Sequence, residues 1–452
     1  MNKPDIHNGR LSADQYRRNF ADIKPALSDY QAHIEASRCL YCEAAPCIPA
    51  CPTGINIPSF INRIATDNID GAAQAILDAN ILGGSCARVC PTEVLCEQAC
   101  VRNHQPECRP VKIGLLQRYA IDNRQSADHP FTRLPETGKA IAVVGAGPAG
   151  LSCAHYLARQ GHNITLFDAR EKPGGLNEFG IAYYKLVDSY ARQEVDFILE
   201  IGGICPEYRC RLGQNLSLDQ LREQFDAVFL GLGLGGCHSL GLQGEAAEGV
   251  EDALPAISSL RQCHDLSQLP VGRRIVVIGG GNTAIDIACQ CQRLGAEDVT
   301  IAYRRGPEQM SATGHEQAFA RDNGVRILTW VQPSALEIED GSITAIQLEK
   351  TVLDTNGQLQ GTGELTTLPV DTLYKAIGQH LLVDSFANTS DRPAIKGNRI
   401  VTDDHFRTSL VNVWAGGDCI DKGEDLTVHA VEHGKRAAQA IDQYLQGGTD
   451  NG

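Results

Sequence analysis

Two runs of cysteines are the features of this 452-residue chain best suited to metal chemistry. The first is Cys39-x2-Cys42-x4-Cys47-x3-Cys51-Pro52, and the second is Cys86-x3-Cys90-Pro91-x4-Cys96-x3-Cys100. With Cys108 they place nine of the 17 cysteines between positions 39 and 108, a density typical of disulfide or metal frameworks. The N-terminal MNKPDIHNGRLSADQYRRNF has no apolar core of a secretory signal, so a reducing compartment is expected and ligation is favoured over disulfides. A bacterial ferredoxin run, C-x2-C-x2-C-x3-C-P, sends its fourth cysteine to the other cluster of a pair; the first run here is longer by two residues in the middle. Zinc is the competing ligand chemistry, but only Cys39 and Cys42 have CxxC spacing, and the second run has none.

Two glycine-rich turns offer a second chemistry, nucleotide binding. The first, Gly145-Ala-Gly147-Pro148-Ala149-Gly150, follows the apolar run AIAVV. In such a turn the first glycine permits the bend, the second lets backbone approach a pyrophosphate, and the third allows close helix–strand packing. The phosphates then meet the unpaired N–H groups of the following helix. Asp168, at the end of the next apolar run NITLF, is placed to accept from a ribose 2′-OH. The second turn, Gly279-Gly280-Gly281-Asn282-Thr283-Ala284, is the Gly/Ala variant of the same pattern. Its next strand ends in Tyr303-Arg304-Arg305 with no carboxylate, and guanidinium groups suit a 2′-phosphate where a carboxylate would repel it. The plainer reading of Arg304 and Arg305 is a solvated charged loop.

These residues need elements to hold them. The stretch 59–80 has apolar residues at helical intervals, and IGLLQRYAID (113–122) predicts a further short helix. Residues 125–139 are polar, hold two prolines and read as a linker. From 140 the texture becomes strand, Gly-rich turn, helix, strand, and this pattern recurs over 273–305. DAVFLGLG (226–233) and NVWAGGD (412–418) predict two more strands, with a helix from about 427 to 446. The expected fold is α/β: two doubly wound nucleotide-binding domains, for FAD and NAD(P), preceded by an α-helical Fe–S domain. Expected boundaries are 1–137 for the helical domain with two clusters, 138–255 for the first part of the FAD domain, 256–375 for the NAD(P)H domain and 376–452 for the second part of the FAD domain.

Two nucleotide sites on one chain suggest a flavin oxidoreductase that takes electrons from NAD(P)H. Many such enzymes carry a redox-active CxxC, but beyond position 108 the cysteines never adopt that spacing. Cys289 and Cys291, two apart on a helix, do not face each other. The N-terminal cysteines are then the expected outlet for electrons, as two Fe–S clusters. The formal net charge of −15 argues against nucleic acid or an anionic membrane as partner. No apolar run reaches the roughly 18 residues of a spanning helix, and a cytoplasmic protein is expected.

The segments CLYCEAAPCIPACPTGINIPSFI, GAAQAIL, GGSCARVCPTEVLCEQAC and IGLLQRYA resemble the N-terminal domain of dihydropyrimidine dehydrogenase. GAGPAG, GGLNEFGI, GGGNTA, YRRG and AGGD continue the likeness, so nearly the whole chain resembles the small, flavin-bearing subunit of the bacterial two-subunit enzyme. It is similar, less closely, to the small subunit of glutamate synthase. The resemblance implies one [4Fe–4S] cluster on Cys39, Cys42, Cys47 and Cys100, and another on Cys51, Cys90, Cys96 and Gln117. Gln117 favours the first family, because the glutamate synthase subunit typically has Glu there; relative to the animal enzyme one extra residue separates Cys100 from Gln117. Cys86, which spacing alone would nominate, and Cys108 then have no ligand role.

The same resemblance implies FAD contacts at Asp168, Gly174, Gly175 and Leu176, and at Gly417 and Asp418 of the AGGD turn. The nicotinamide ribose and phosphates would lie over Gly281, Asn282 and Thr283. The implied function is electron input: NAD(P)H to FAD to the clusters, then to an FMN-containing catalytic partner that reduces uracil or thymine. After AGGD the sequence leaves no room for the (β/α)₈ barrel that would bind pyrimidine, so that site is expected on another polypeptide. No side chain is assigned as general acid or base. The family is associated with NAD, whereas Tyr303-Arg304-Arg305 reads as a 2′-phosphate site, so NADP(H) or NAD(H) remains open. The alternatives are a glutamate synthase small subunit and, from another class, a zinc-stabilised interaction module on a degenerate nucleotide-binding scaffold.

Overall fold

The computed structural model describes residues 10–447 and divides them into two compact units. One combines Lys24–Glu178, Asp188–Gly235 and the described residues from His380 onward; the other combines the described residues up to Ile23, Phe179–Val187 and Gly236–Gln379. This grouping differs from the four consecutive segments expected from sequence. The cysteine segment after residue 23 shares a unit with parts of both segments expected to form the FAD domain. The stretch before residue 24 goes to the unit of the second fingerprint instead. Its helix Ala13–Asn19, capped by Ser12, buries Tyr16, and with Phe20 this ring enters the same apolar cluster as Ile275, Val277, Ile285 and Ile301. Asn19 Nδ2 adds a hydrogen bond of 2.8 Å to the carbonyl of Arg293.

In the first of these units five parallel strands lie in the order Val413–Ala415, Ala227–Leu230, Ala140–Val144, Asn163–Phe167, Ile204–Glu207. Ala140–Val144 is a continuous apolar run because helices cover both faces of such a sheet. The helix Thr427–Leu445 packs across Pro148–Arg159, and Ser152 Oγ donates to the carbonyl of Val431 at 2.8 Å. The cysteine segment is helical, as expected, with one difference. The periodic stretch 59–80 is two helices, Ile57–Ala65 and Ile69–Ala79, not one. Asp67 takes φ +60 at the break, and Asn68 caps the second helix by accepting from the Gly71 N–H at 2.9 Å. Ile57, Phe60, Ile61 and Ile64 face inward at helical spacing and form one core with Ile113, Leu116 and Ala120 of Ile113–Asp122. The stretch 125–139 has no helix or strand but is tied down: Leu134 N–H donates to Arg159 O at 2.9 Å, and Phe131 is buried.

The second unit holds another parallel sheet, in the order Val250–Asp252, Thr372–Lys375, Arg274–Ile278, Asp298–Tyr303, Arg326–Thr329. It also carries an antiparallel sheet, Val331–Glu339, Ser342–Leu353 and Leu359–Pro369, that the sequence reading did not anticipate. Ile343, Ile346 and Leu348 of its middle strand pack against Val276 and Ile278, so this sheet closes one face of the parallel sheet.

Candidate functional site

The first fingerprint is a pocket built from backbone. Gly145 adopts φ +105, and a Cβ there would stand 2.2 Å from the carbonyl oxygen of Gly231, so the position admits only glycine. A Cβ at Gly150 would stand 1.8 Å from the Gly145 oxygen, which is the close helix–strand contact required of the third glycine. Gly147 caps the helix Pro148–Arg159, and Pro148 occupies its first position, where a missing N–H costs nothing. Asp168 Oδ2 accepts from the Ala146 N–H at 2.8 Å and Oδ1 from the Arg170 N–H at 2.7 Å, while burial pushes its carboxyl above the usual range.

Gly174 and Gly175 fold over this turn. The Gly174 N–H donates to Ala146 O at 2.7 Å, and a Cβ on Gly175 would lie 2.6 Å from the Cα of Gly147. Leu176 sits at the exposed rim and Ala149 is buried beneath. Gly417, with φ +79, brings the AGGD turn against Ala149, where an added Cβ would be 3.0 Å from the Ala149 Cβ. Burial, with Asp425 nearby, pushes the Asp418 carboxyl up to about 6. Gly145, Gly147, Gly150, Gly174, Gly175 and Gly417 therefore meet at one place. Asn177, one residue past the segment nominated from sequence, joins them: it is 2 % exposed, its Oδ1 accepts from Thr427 Oγ1 at 3.0 Å, and its Nδ2 has no partner. A backbone cradle with a carboxylate at one side and an orphaned buried donor at another fits a flavin nucleotide. Only the position of Asn177 in GGLNEFGI hinted at it; the contact with Thr427 is made across 250 residues.

The cysteines separate into two groups. Cys39, Cys42, Cys47 and Cys100 line one pocket whose other walls include Ile57, Ile61, Val111 and Ile113. Three come from the first run and one from the second, and Cys51 is absent from that lining. Burial pushes the Cys39 thiol up, and that of Cys47 to about 11. The buried Cys90 is raised first by its hydrogen bond with Cys86, then by burial, with Cys96 and Cys51 as further neighbours. Burial is also the main cause of the upward shift at Cys96. Gln117 is buried on Ile113–Asp122, and its Nε2 donates to Gly83 O at 2.6 Å, which leaves Oε1 as its spare ligating atom. Cys86 lies in the helix Gly83–Val89 against Cys90 and Val428, and Cys108 is exposed. Among the described residues no three His, Cys, Asp or Glu are gathered as ligands of a single metal ion. Buried thiols with high proton affinity ionise only when a metal replaces the proton, and soft sulfur donors in an apolar lining fit iron–sulfur clusters.

The second fingerprint repeats the first. Gly279 takes φ +144 beneath Ala376, whose oxygen a Cβ would approach to 2.1 Å. Gly281 caps Asn282–Leu294; Asn282 Oδ1 is buried without a partner, Thr283 follows in the first turn, and Ala284 is fully buried where bulk would not fit. This helix N-terminus with its orphaned amide oxygen fits a nucleotide diphosphate and ribose. Arg304 is exposed and Arg305 half-buried. Their carbonyls are fixed, Arg304 O by Thr351 Oγ1 at 2.8 Å and Arg305 O by the Trp330 N–H at 3.1 Å. Neither guanidinium pairs with a described residue. All 17 cysteines are free, and Cys289 and Cys291 point to different partners, Tyr184 and Tyr374.

Two family models match the chain. The model described as dihydropyrimidine dehydrogenase domain II, 4Fe-4S cluster, matches residues 16–129, and the pyridine nucleotide-disulphide oxidoreductase model matches 139–434. The chain belongs to the pyridine nucleotide-disulphide oxidoreductase family, in the branch that carries a 4Fe–4S domain ahead of the nucleotide-binding domains. It is 34% identical to the NAD-dependent dihydropyrimidine dehydrogenase subunit PreT of Salmonella typhimurium, over 95% of this chain and 98% of that one. It is 33% identical to the glutamate synthase [NADPH] small chain of Escherichia coli, over 94% of each. In fold it is similar to FprA of Mycobacterium tuberculosis, solved with NADPH (TM-score 0.58, 18% identity, 70% of this chain and 85% of that one). It is likewise similar to the thioredoxin reductase of Lactococcus lactis (TM-score 0.54, 21% identity, 68% and 99%). Among the described residues no helix is long and apolar enough to cross a membrane.

Proposed function

We propose that this chain is the electron-input subunit of a cytoplasmic dihydropyrimidine dehydrogenase, carrying one FAD and two [4Fe–4S] clusters and delivering electrons to an FMN-containing catalytic partner that reduces uracil or thymine. The observation that carries the reading is the pocket joining Cys39, Cys42 and Cys47 to Cys100, in the same compact unit as the Gly145–Gly150 turn. When bound, the flavin and clusters supply the conversion of a hydride pair into single electrons. The chain's own residues do the positioning. Gly145, Gly147 and Gly150 open backbone N–H groups to a pyrophosphate, Asp168 accepts from a ribose, and Gly417, Asp418 and Asn177 flank the flavin. Cys51, Cys90, Cys96 and Gln117 hold the second cluster. Gly279, Gly281, Asn282, Thr283 and Ala284 hold the pyridine nucleotide, with Arg304 and Arg305 available to a 2′-phosphate.

The unpaired guanidinium groups of Arg304 and Arg305 support use of NADP(H), while the relatives named NAD-dependent support NAD(H). A buried glutamine at 117, with its oxygen spare, supports the dihydropyrimidine dehydrogenase reading over a glutamate synthase small subunit. The deciding experiment co-purifies the product of the neighbouring gene and assays NAD(P)H-dependent uracil reduction beside glutamine-dependent glutamate formation. Glutamate formation without uracil reduction rejects the proposal.

A further inference from the structure

Both cysteine runs contain Cys-Pro-Thr, at 51–53 and 90–92, yet the two threonines do different work. Thr53 is 4 % exposed, and its hydroxyl lies 3.3 Å from Cys51 Sγ. Thr92 instead turns its hydroxyl to the carboxylate of Glu97, whose Oε1 also accepts from the Gly114 N–H at 2.9 Å. The difference has a visible cause. Lys435, on the helix Thr427–Leu445, donates from Nζ to the Thr53 carbonyl at 3.1 Å and to the Ala79 carbonyl at 2.9 Å. This ammonium ties the turn after Cys51 to the helix Ile69–Ala79 and to the flavin-side fold at once. Its charge is met by Glu432 Oε2 at 2.6 Å, so Lys435 acts by holding the backbone more than by its field.

We propose that Thr53 is a positioning residue that sets the reduction potential of the cluster on Cys51, and that Lys435 keeps its hydroxyl aimed at the sulfur. The inference rests on the reading that Cys51 ligates a cluster. A ligating thiolate has no proton, so the Thr53 hydroxyl must be the donor in this contact. Hydrogen bonds to cluster sulfurs stabilise the added negative charge of the reduced form and raise the potential. Thr92, which follows Cys90 of the same cluster, spends its hydroxyl on Glu97, so of the two Cys-Pro-Thr turns only the one at Cys51 supplies such a bond.

The test uses the full chain as wild type, Thr53→Val, Thr53→Ser and Lys435→Met, each with its iron content measured first. Potentiometric titration followed by electron paramagnetic resonance reads each cluster. Thr53→Val should lower one midpoint only, by a roughly three- to tenfold change in the oxidised-to-reduced ratio, as for loss of one hydrogen bond, or about 30–60 mV at 59 mV per decade. Thr53→Ser should restore it, and Lys435→Met should lower the same midpoint by less. The Fe–S stretching bands of Thr53→Val should also lose part of their shift in D2O. Unchanged midpoint and bands in an iron-replete Thr53→Val overturn the proposal, as does an equal shift in both clusters. If Thr53→Val takes up no cluster, Lys435→Met decides alone, and an unchanged midpoint there overturns it. Absence of iron in the wild type is a different failure, that of the cluster reading itself.

Discussion

The side-chain nitrogen of Gln117 lies 2.6 Å from the carbonyl oxygen of Gly83, the residue that opens the helix leading to Cys90. A glutamine thus held has its nitrogen spent and its oxygen spare. Glutamate could not make the same bond, because a carboxylate oxygen would face the Gly83 carbonyl.

Gln117→Ala should therefore disturb one cluster and leave the other, seen as iron falling from about eight toward four per chain. Reduction of the flavin by NAD(P)H in anaerobic stopped flow should survive, since hydride transfer precedes the clusters. Loss of flavin reduction in a folded, FAD-replete variant would show that the order of electron flow is wrong. Gln117→Glu should be less stable than wild type by about 1–3 kcal/mol, the cost of an unpaired buried carbonyl.

Metal and flavin analysis of the purified chain should give about eight iron atoms, no zinc and one FAD. Four irons, or zinc in their place, would contradict the crossed arrangement of Cys51 and Cys100 between the two cysteine runs.

Replacing Arg304 and Arg305 together with neutral residues should raise the KM for NADPH far more than that for NADH. Each lost charge-assisted contact is worth roughly 1.5–3 kcal/mol before solvent screening, and the exposure of Arg304 pushes toward the lower end, about tenfold per contact. The effect should fall on KM or kcat/KM and spare hydride transfer, because a 2′-phosphate is remote from the nicotinamide. Equal losses for both coenzymes would mean that the arginines only shape the loop.

Glu194 predicts a pH dependence of stability. Its carboxylate accepts from the Gly84 and Ser85 N–H groups at 2.9 and 3.0 Å and from the Ser85 hydroxyl, and burial pushes it up from 4.5 to about 7. The folded chain then holds this proton more tightly than the unfolded chain between those values. Stability from this group is full below about pH 4.5 and is lost as pH rises through about 7, up to about 3 kcal/mol. Thermal unfolding of wild type should show that fall between pH 5 and 7, and Glu194→Gln should flatten it. Parallel curves for the two proteins would remove Glu194 as the cause.

The repeated nucleotide-binding scaffold is legible in the sequence alone. Gly145 and Gly279 are legible because their chemistry is local: a left-handed turn with backbone at van der Waals contact leaves no room for any other residue. The strands 140–144 and 274–278 are legible for a similar reason, since burial on both faces demands the unbroken apolar runs 140–144 and 275–278. The break at Asp67 is legible on closer reading, because Ile57, Phe60, Ile61 and Ile64 fall on one helical face and Ile69, Ala72, Ala73 and Ile76 on another, so a single continuous helix could not bury both sets. Tertiary structure brings Cys100 beside Cys39, Cys42 and Cys47, a grouping that the resemblance implied but that their own spacing would not select, because the intervening chain must fold back first. It also decided that Tyr16 and Phe20 leave the cysteine segment for the second unit, because burial of two aromatic rings depends on which apolar surface is available and not on neighbours in sequence. Thr53 was silent, and Asn177 hinted at only by its place in GGLNEFGI, for the same reason. Their partners, Thr427 and Lys435, lie on the last helix of the fold, and a side-chain hydrogen bond across such a distance leaves no pattern in either local sequence.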